Sequence, residues 1–171
     1  MNKRAPRVEG GFLLIEAMIA ILIFSLGILG MIAMGGTAIG AQSDARYRTD
    51  AQRLVDEIAG SIALDVVRTS PAALQLSLLN YAHQTAGGNC TFSGGAGDPP
   101  PDAVVTNWVS RATTVGSGLP GLPGASAANQ QILIGSVPAG TNRVEITVCW
   151  RDPGTPAGAA MRRHTLVTYV N

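Results

Sequence analysis

Glu16 is the residue whose surroundings most require a chemical role. From Phe12 to Ile39 the chain carries no other charged residue, over a run of roughly 28 positions. A helix needs ~20 apolar residues to cross a bilayer core, and a lone acid near its centre costs ~2.5–3.5 kcal/mol. We therefore expect Glu16 to have a functional role in which it interacts with a partner group. The alternative is a glutamate at the membrane rim that the lipid headgroups solvate.

The other residues that could do chemistry do not form a catalytic pattern. His83 and His164 are far apart in the chain, and surface or capping roles suit both. The aspartates and glutamates are scattered, whereas acid–base catalysis needs them paired in a cleft. The sequence has no nucleophile elbow, phosphate loop or metal-ligand spacing. We therefore expect no enzyme activity, catalytic residue, metal, cofactor or small-molecule substrate.

Cys90 and Cys149 are the two cysteines of the chain. In an oxidising compartment outside an inner membrane, an even pair indicates one disulfide. Its loop of roughly 60 residues would stabilise the domain by about 4 kcal/mol in the chain-entropy model. Two unpaired buried thiols are the alternative. We do not expect a zinc site, because two cysteines without nearby histidines fall short of four ligands.

Charge before the apolar run sets the expected orientation. Lys3, Arg4, Arg7 and Glu9 give residues 1–11 a charge of +2, which leaves −1 for the rest of the chain. Basic residues before a membrane segment place that end in the cytoplasm and the following domain outside. No basic face emerges that would bind nucleic acid through its phosphates.

The junction between these two segments has a specific order. A secretory signal is cut after its apolar region, whereas here the small-residue pair Gly10-Gly11 precedes it. Gly11, Phe12 and Glu16 resemble, position for position, the class III signal of type IV prepilins. The resemblance implies that prepilin peptidase removes residues 1–11 and that the new Phe12 amine is N-methylated. It also implies that Glu16 faces the terminal amine of a neighbouring subunit and sets the register of a filament.

The resemblance implies an α+β, pilin-like fold: a long N-terminal helix, half transmembrane and half amphipathic, packed on a small antiparallel sheet. Residues 12–40 would form the transmembrane and filament-core helix, and residues 41–171 the periplasmic domain. Gly36 and Gly40 have a G-x-x-x-G spacing that permits close helix packing, although local flexibility explains them equally well. The pattern predicts that the helix continues to about Val67 and ends before Pro71. A stripe at helical spacing predicts its core face: Tyr47, Ala51, Leu54, Val55, Ile58, Ile62 and Val66.

The remaining elements are predicted from composition and periodicity. Residues 85–101 and 116–124 are glycine- and proline-rich, and we expect a loop and a flexible run there. In the middle strand Val144, Ile146 and Val148 alternate with more polar positions, Glu145, Thr147 and Cys149. Turn-rich connectors predict an antiparallel meander. The predicted helices are 72–81 and 102–113, and the predicted strands are 131–136, 143–150 and 163–170. Arg162 and Arg163 could contact an anionic partner, but two arginines at a strand edge more often guard it against pairing with another strand.

Within this family the C-terminal half resembles PilV-type minor pilins, on Cys90, Trp108, residues 119–121 and the late strand ending at 148–152. The resemblance implies a minor pilin of the complex that initiates a type IV pilus, first in the inner membrane and then at the cell surface. Its partners would be other minor pilins, the major pilin, prepilin peptidase and the inner-membrane assembly platform. A minor pseudopilin of a type II secretion system shares the same signal and helix. A single-pass sensor or DNA-uptake receptor is the third possibility, although it makes no use of the junction.

Overall fold

The computed structural model describes residues 10–96, 98–100, 102–114, 121–135, 141–156 and 158–171. The chain divides into two compact units, Met1–Ser43 and Asp44–Asn171, and it combines helices with small antiparallel sheets in an α+β fold. The first helix, α1 (Gly10–Asp65), contributes to both units. Of the predicted leader, residues 1–9 lie outside the described residues.

The first unit is the apolar part of α1. Its large apolar side chains from Leu13 to Ile39 are exposed. The helix is long and apolar enough to cross a membrane, with a mean hydropathy of 2.6. This finding, from length and composition, agrees with the predicted transmembrane segment.

The second unit begins with the amphipathic part of α1, which supplies one wall of its core. The predicted stripe is confirmed: from Ala51 to Val66 its members are buried, and Tyr47 packs against them. The helix ends at Asp65, slightly before the predicted end. Helix α2 (Pro71–Leu79) follows with proline in its first turn, and the Ser70 hydroxyl caps it by accepting a hydrogen bond from the Ala73 N–H at 3.1 Å.

A hairpin occupies part of the segment that the sequence predicts to be a loop, so that prediction is wrong there. Strands β1 (Ala86–Gly88) and β2 (Thr91–Ser93) pair antiparallel through the two-residue turn Asn89-Cys90. Both turn residues have positive φ, +53° and +62°. Such a turn suits the twist of a hairpin, but glycine usually fills its second position, and the strands are too short to show alternation.

Helix α3 (Ala103–Thr113) and a three-stranded sheet complete the unit. The Asp102 carboxylate caps α3 by accepting a hydrogen bond from the Val104 N–H at 2.7 Å. The strands β3 (Gln130–Gly135), β4 (Arg143–Trp150) and β5 (Arg162–Tyr169) form the predicted antiparallel meander in the order β3-β4-β5. Trp108 of α3 is fully buried, and its indole N–H donates to the Leu54 carbonyl of α1 at 2.9 Å.

Strand β4 differs from its predicted pattern because both of its faces are covered. Val144, Ile146 and Val148 face the main core as predicted. Thr147 and Cys149, predicted to be on the polar face, are 6% and 0% exposed. The β1–β2 hairpin supplies a second small cluster against Cys149, and no sequence pattern predicted this covering element.

The run at 116–124 is also more ordered at its end than predicted. Residues 115–120 lie outside the described residues, but Leu122 is fully buried and its N–H donates to the Ala112 carbonyl at 2.8 Å. Gly124 has a φ of +62°, and a Cβ on it would lie 3.0 Å from the Arg151 Cβ. Leu122-Pro123-Gly124 therefore closes the core between α3 and the end of β4.

Candidate functional site

The predicted cleavage junction lies within α1, whose described range, Gly10–Asp65, includes both Gly11 and Phe12. Cleavage between Gly11 and Phe12, and methylation of Phe12, stay predictions.

Glu16 is exposed on α1, four residues after the predicted cleavage position in the sequence. Its neighbours Leu13, Ile15 and Ile19 are each more than half exposed. Within the described residues the Glu16 carboxylate has no hydrogen bond or ion pair. The structure therefore presents a lone carboxylate on an apolar surface, and its predicted role in filament register depends on a partner from outside the chain.

Gly36 and Gly40 leave a strip of α1 without side chains. A Cβ added at either position would meet nothing within 4 Å. One helical turn separates them, so a second helix could approach the backbone closely along this strip. Within this chain nothing packs there among the described residues, so the two glycines remain candidates for contacts with other molecules.

Among the predicted site residues, the two cysteines are the pair that the structure brings into contact. Cys90 and Cys149 form a disulfide with a Cα–Cα distance of 5.8 Å, as the even count predicts. The bond fastens the turn of the β1–β2 hairpin to β4. Phe92 and Met161 pack around it, and the Asn129 side chain donates to the Cys90 carbonyl. Sequence gave no signal for Asn129, because its role depends on this turn geometry.

Two titratable residues, Tyr81 and His83, lie in the core and beside strand β3 respectively. Burial raises the pKa of Tyr81, and its hydrogen bond to the Asp65 carboxylate raises it further. Burial lowers the pKa of His83, which pairs with Ile132 through backbone hydrogen bonds of 3.0 and 2.9 Å. His83 lies beyond the end of α2, which is at Leu79. In the part of the chain that the structure describes, no group of three or more acidic, histidine or cysteine side chains could hold a metal.

The structure also brings together basic residues that the sequence keeps apart. Arg48 of α1 lies with Arg162, Arg163 and His164 of β5 around one pocket. The sequence predicts Arg162 and Arg163 to be edge guards, and it offers no signal that Arg48 joins them. That grouping requires the packing of α1 on the sheet within the second unit.

No protein-family model, curated protein or solved structure matches this chain.

Proposed function

We propose that the chain is a minor pilin that takes part in initiating type IV pilus assembly and is then incorporated into the fibre. Before assembly it would reside in the inner membrane, with its α+β domain in the periplasm. Its partners would be other minor pilins, the major pilin and the inner-membrane assembly platform, with prepilin peptidase as its processing enzyme. We propose no catalytic role, cofactor or nucleic-acid ligand for it.

One observation carries the proposal. A single helix contains the Gly11–Phe12 junction, bears Glu16 on an exposed apolar surface and supplies the core stripe of the folded unit. Such a helix suits a subunit that exchanges lipid contacts for contacts with other helices. The resemblance of the G-F-x-x-x-E junction to prepilins adds the reason why the exchange would follow proteolysis.

Glu16 supplies the energetic link between processing and assembly. Removal of residues 1–11 would create a positive amine at Phe12 that did not exist before. Opposite charges ~4 Å apart attract by ~4 kcal/mol at an effective dielectric of 20. That attraction offsets much of the cost of burying a carboxylate among apolar helices. An axial step that leaves either charge unpaired is disfavoured, so the pair would select one register.

Processing can be tested on the purified protein by intact-mass measurement. We expect a chain that begins at N-methylated Phe12. Lys3 is the sole lysine, so a lysine-specific protease would cut the unprocessed chain and leave the processed chain intact. Gly11→Leu should retain the leader, whereas the matched Gly10→Ala should still be processed. A native chain that keeps Met1 would reject the filament proposal.

The role of Glu16 can be tested separately from processing. Glu16→Gln keeps the size of the side chain and removes its charge, and Ile19→Val is a control on the same apolar surface. We expect both variants to insert into the membrane and to lose the leader. In sheared-fibre fractions, Glu16→Gln should be depleted about tenfold or more and Ile19→Val should match the wild type. If Glu16→Gln were incorporated as well as the wild type, Glu16 would not set the filament register.

A deletion strain separates the pilus from the secretion filament. Loss of surface pili with unchanged protein secretion supports the proposal. Loss of secretion with intact pili would replace it with a minor pseudopilin of a type II secretion system. The wild-type gene should restore the lost phenotype, and the Gly11→Leu variant should not.

A further inference from the structure

Strand β5, the last strand of the sheet, has one edge without a strand partner. It pairs with β4 on one side, and no strand lies along its other side in the described part of the chain. Such an edge is a template for another strand, and proteins usually block it with charge, proline or a covering element. The strand contains no proline, and its arginines are its first two residues. The rest of the edge is therefore open to pairing.

The hydrogen bonds of β5 fix which backbone groups face this edge. The Val170 N–H donates to the Asn142 carbonyl at 3.0 Å, directly beyond the pair of Tyr169 and Arg143. Bonded and non-bonded pairs alternate along an antiparallel ladder. The residues whose N–H and C=O groups point to the free edge are therefore Arg163, Thr165, Val167 and Tyr169.

The side chains of these four residues share one face of the sheet, because successive side chains of a strand alternate between faces. The Thr165 hydroxyl lies 3.0 Å from that of Thr147, on the face of β4 that is opposite to the main core. All four residues are exposed, and Tyr169 is 55% exposed. Arg163 makes no ion pair or hydrogen bond within the described residues. The edge therefore combines unpaired backbone groups with a free cation and an exposed aromatic ring.

We propose that the free edge of β5 pairs antiparallel with the β5 edge of a second copy, around a two-fold axis at Leu166. In this register Arg163 of each copy lies opposite Tyr169 of the other, and Thr165 lies opposite Val167. The outward N–H and C=O groups form about eight hydrogen bonds between the copies. The pairing does not depend on the proposed pilus role, because it requires only the folded second unit.

The complementarity of β5 with itself favours a second copy as the occupant. A two-fold pair makes each contact twice. Residues opposite each other in a bonded pair have Cα atoms about 5.5 Å apart, so the Arg163 guanidinium can lie over the Tyr169 ring and gain a cation–π attraction. No like charges are opposed in this register. On the other face the two Leu166 side chains meet at the axis, and Leu166 already packs against the main core.

The same contacts select one register. A shift of the partner strand by two residues in one direction would place Arg163 opposite Val167, and the ring contact would be lost. A shift in the other direction would place Arg163 opposite Asn171 and shorten the paired segment. One strand pair buries less surface than a standard protein interface, so we expect a weak dimer with a Kd of ~10–300 μM.

The test is amide hydrogen exchange, followed by NMR, on the full chain in a neutral detergent at increasing protein concentration. The Leu166 and Thr168 amides bond to β4 and should be protected at every concentration. The Thr165 and Val167 amides point to the free edge and should exchange rapidly in dilute protein. Their exchange should slow about threefold or more at ~1 mM protein, as the dimer forms.

Cross-linking tests the register. A phenylalanine that carries a benzophenone replaces Tyr169, which keeps an aromatic ring at that position. In a mixture of ¹⁴N and ¹⁵N chains, irradiation should give cross-linked peptides with one label of each kind. These peptides should join position 169 of one copy to the segment around Arg163 of the other.

Substitutions of opposite charge at one position locate the contact. Tyr169→Arg opposes two cations and should raise the Kd at least about fivefold, whereas Tyr169→Glu faces Arg163 of the other copy and should keep or lower it. Arg163→Glu combined with Tyr169→Arg restores opposite charges and should recover the pairing. Arg53→Glu makes the same change of charge on α1 and should alter the Kd less than twofold. Loss of folding cannot explain a recovery in the double variant.

Several outcomes would overturn the proposal. If exchange of the Thr165 and Val167 amides does not depend on concentration up to ~1 mM, the arginines keep the edge unpaired, as edge guards would. Equal effects of Tyr169→Arg and Tyr169→Glu, or cross-links that join other segments, would reject the register. If a peptide of alternating threonine and valine protects the edge amides and a second copy does not, the edge binds a strand of another protein.

Discussion

Loss of the Cys90–Cys149 disulfide should be the most costly change outside the main core. The two cysteines are 59 residues apart. In the chain-entropy model, closing a loop of that length stabilises the folded state by about 4 kcal/mol. Domains of this kind have a free energy of unfolding of about 5–15 kcal/mol. We therefore expect the variant Cys90→Ala with Cys149→Ala to lose a quarter or more of its stability, and its Tm to fall by about 10–20 °C.

The structure adds a local signature to this loss. The disulfide fastens the β1–β2 hairpin over Cys149, whereas β3 and β4 pair through their own backbone hydrogen bonds. Hydrogen exchange should therefore show that amides of the hairpin lose protection first. Amides of the β3–β4 ladder should keep theirs until global unfolding.

The assay is denaturant unfolding of the purified chain in detergent, followed by tryptophan fluorescence, with hydrogen exchange under native conditions. Wild-type protein treated with a reductant provides a second perturbation that leaves both cysteine side chains in place. It should reproduce the loss seen in the double variant. A loss below about 1 kcal/mol, or an even loss of protection over hairpin and ladder, would refute the reasoning.

Three smaller effects follow from other contacts. Gly124→Ala should destabilise the domain by about 1–2 kcal/mol in denaturant unfolding, because alanine is strained at positive φ and its Cβ would crowd Arg151. Gly158→Ala is the control, because a Cβ at that position meets only open space. Trp108→Phe should lower the free energy of unfolding by about 2 kcal/mol, since it opens a cavity and removes the hydrogen bond to the Leu54 carbonyl. Trp150→Phe is the comparison, because the Trp150 indole has no acceptor in the described chain. An equal loss of stability in the two variants would contradict the role of the Trp108 hydrogen bond. Burial lowers the pKa of His83 in the folded chain below its ordinary 6.5, so the unfolded chain takes up the proton first as the pH falls. The free energy of unfolding should therefore fall as the pH drops below 6.5. In unfolding curves from pH 7.5 to 5, His83→Gln should reduce this dependence of stability on pH.

Much of the fold could be predicted because its signals are local. The stripe on α1 repeats at helical spacing, Ser70-Pro71 marks the start of α2, and β4 and β5 are rich in β-branched residues between turn signals. The cysteine count predicted the disulfide. The residues of the N-terminal junction were singled out by their order, and their function stays a prediction because it lies in contacts with other molecules.

The parts that sequence did not predict depend on contacts between distant segments. The hairpin has three-residue strands and a cysteine where its turn would favour glycine, so neither alternation nor turn chemistry marks it. Leu122 lies in a glycine- and proline-rich run, yet its burial comes from the meeting of α3 and β4. The arginine pocket likewise exists because α1 packs beside the first residues of β5.

The bare apolar surface of α1 limits the routes by which the chain can change its location. Sixteen large apolar side chains between Leu13 and Ile39 are exposed to the surroundings. Transferring them from a dry environment into water would cost at least about 20 kcal/mol, more than the unfolding of a typical domain. Exposure of this whole surface to water is therefore too costly for the isolated folded chain. For the proposed membrane-anchored subunit, transfer out of the lipid requires that the receiving helices contact this surface before the last lipid leaves it.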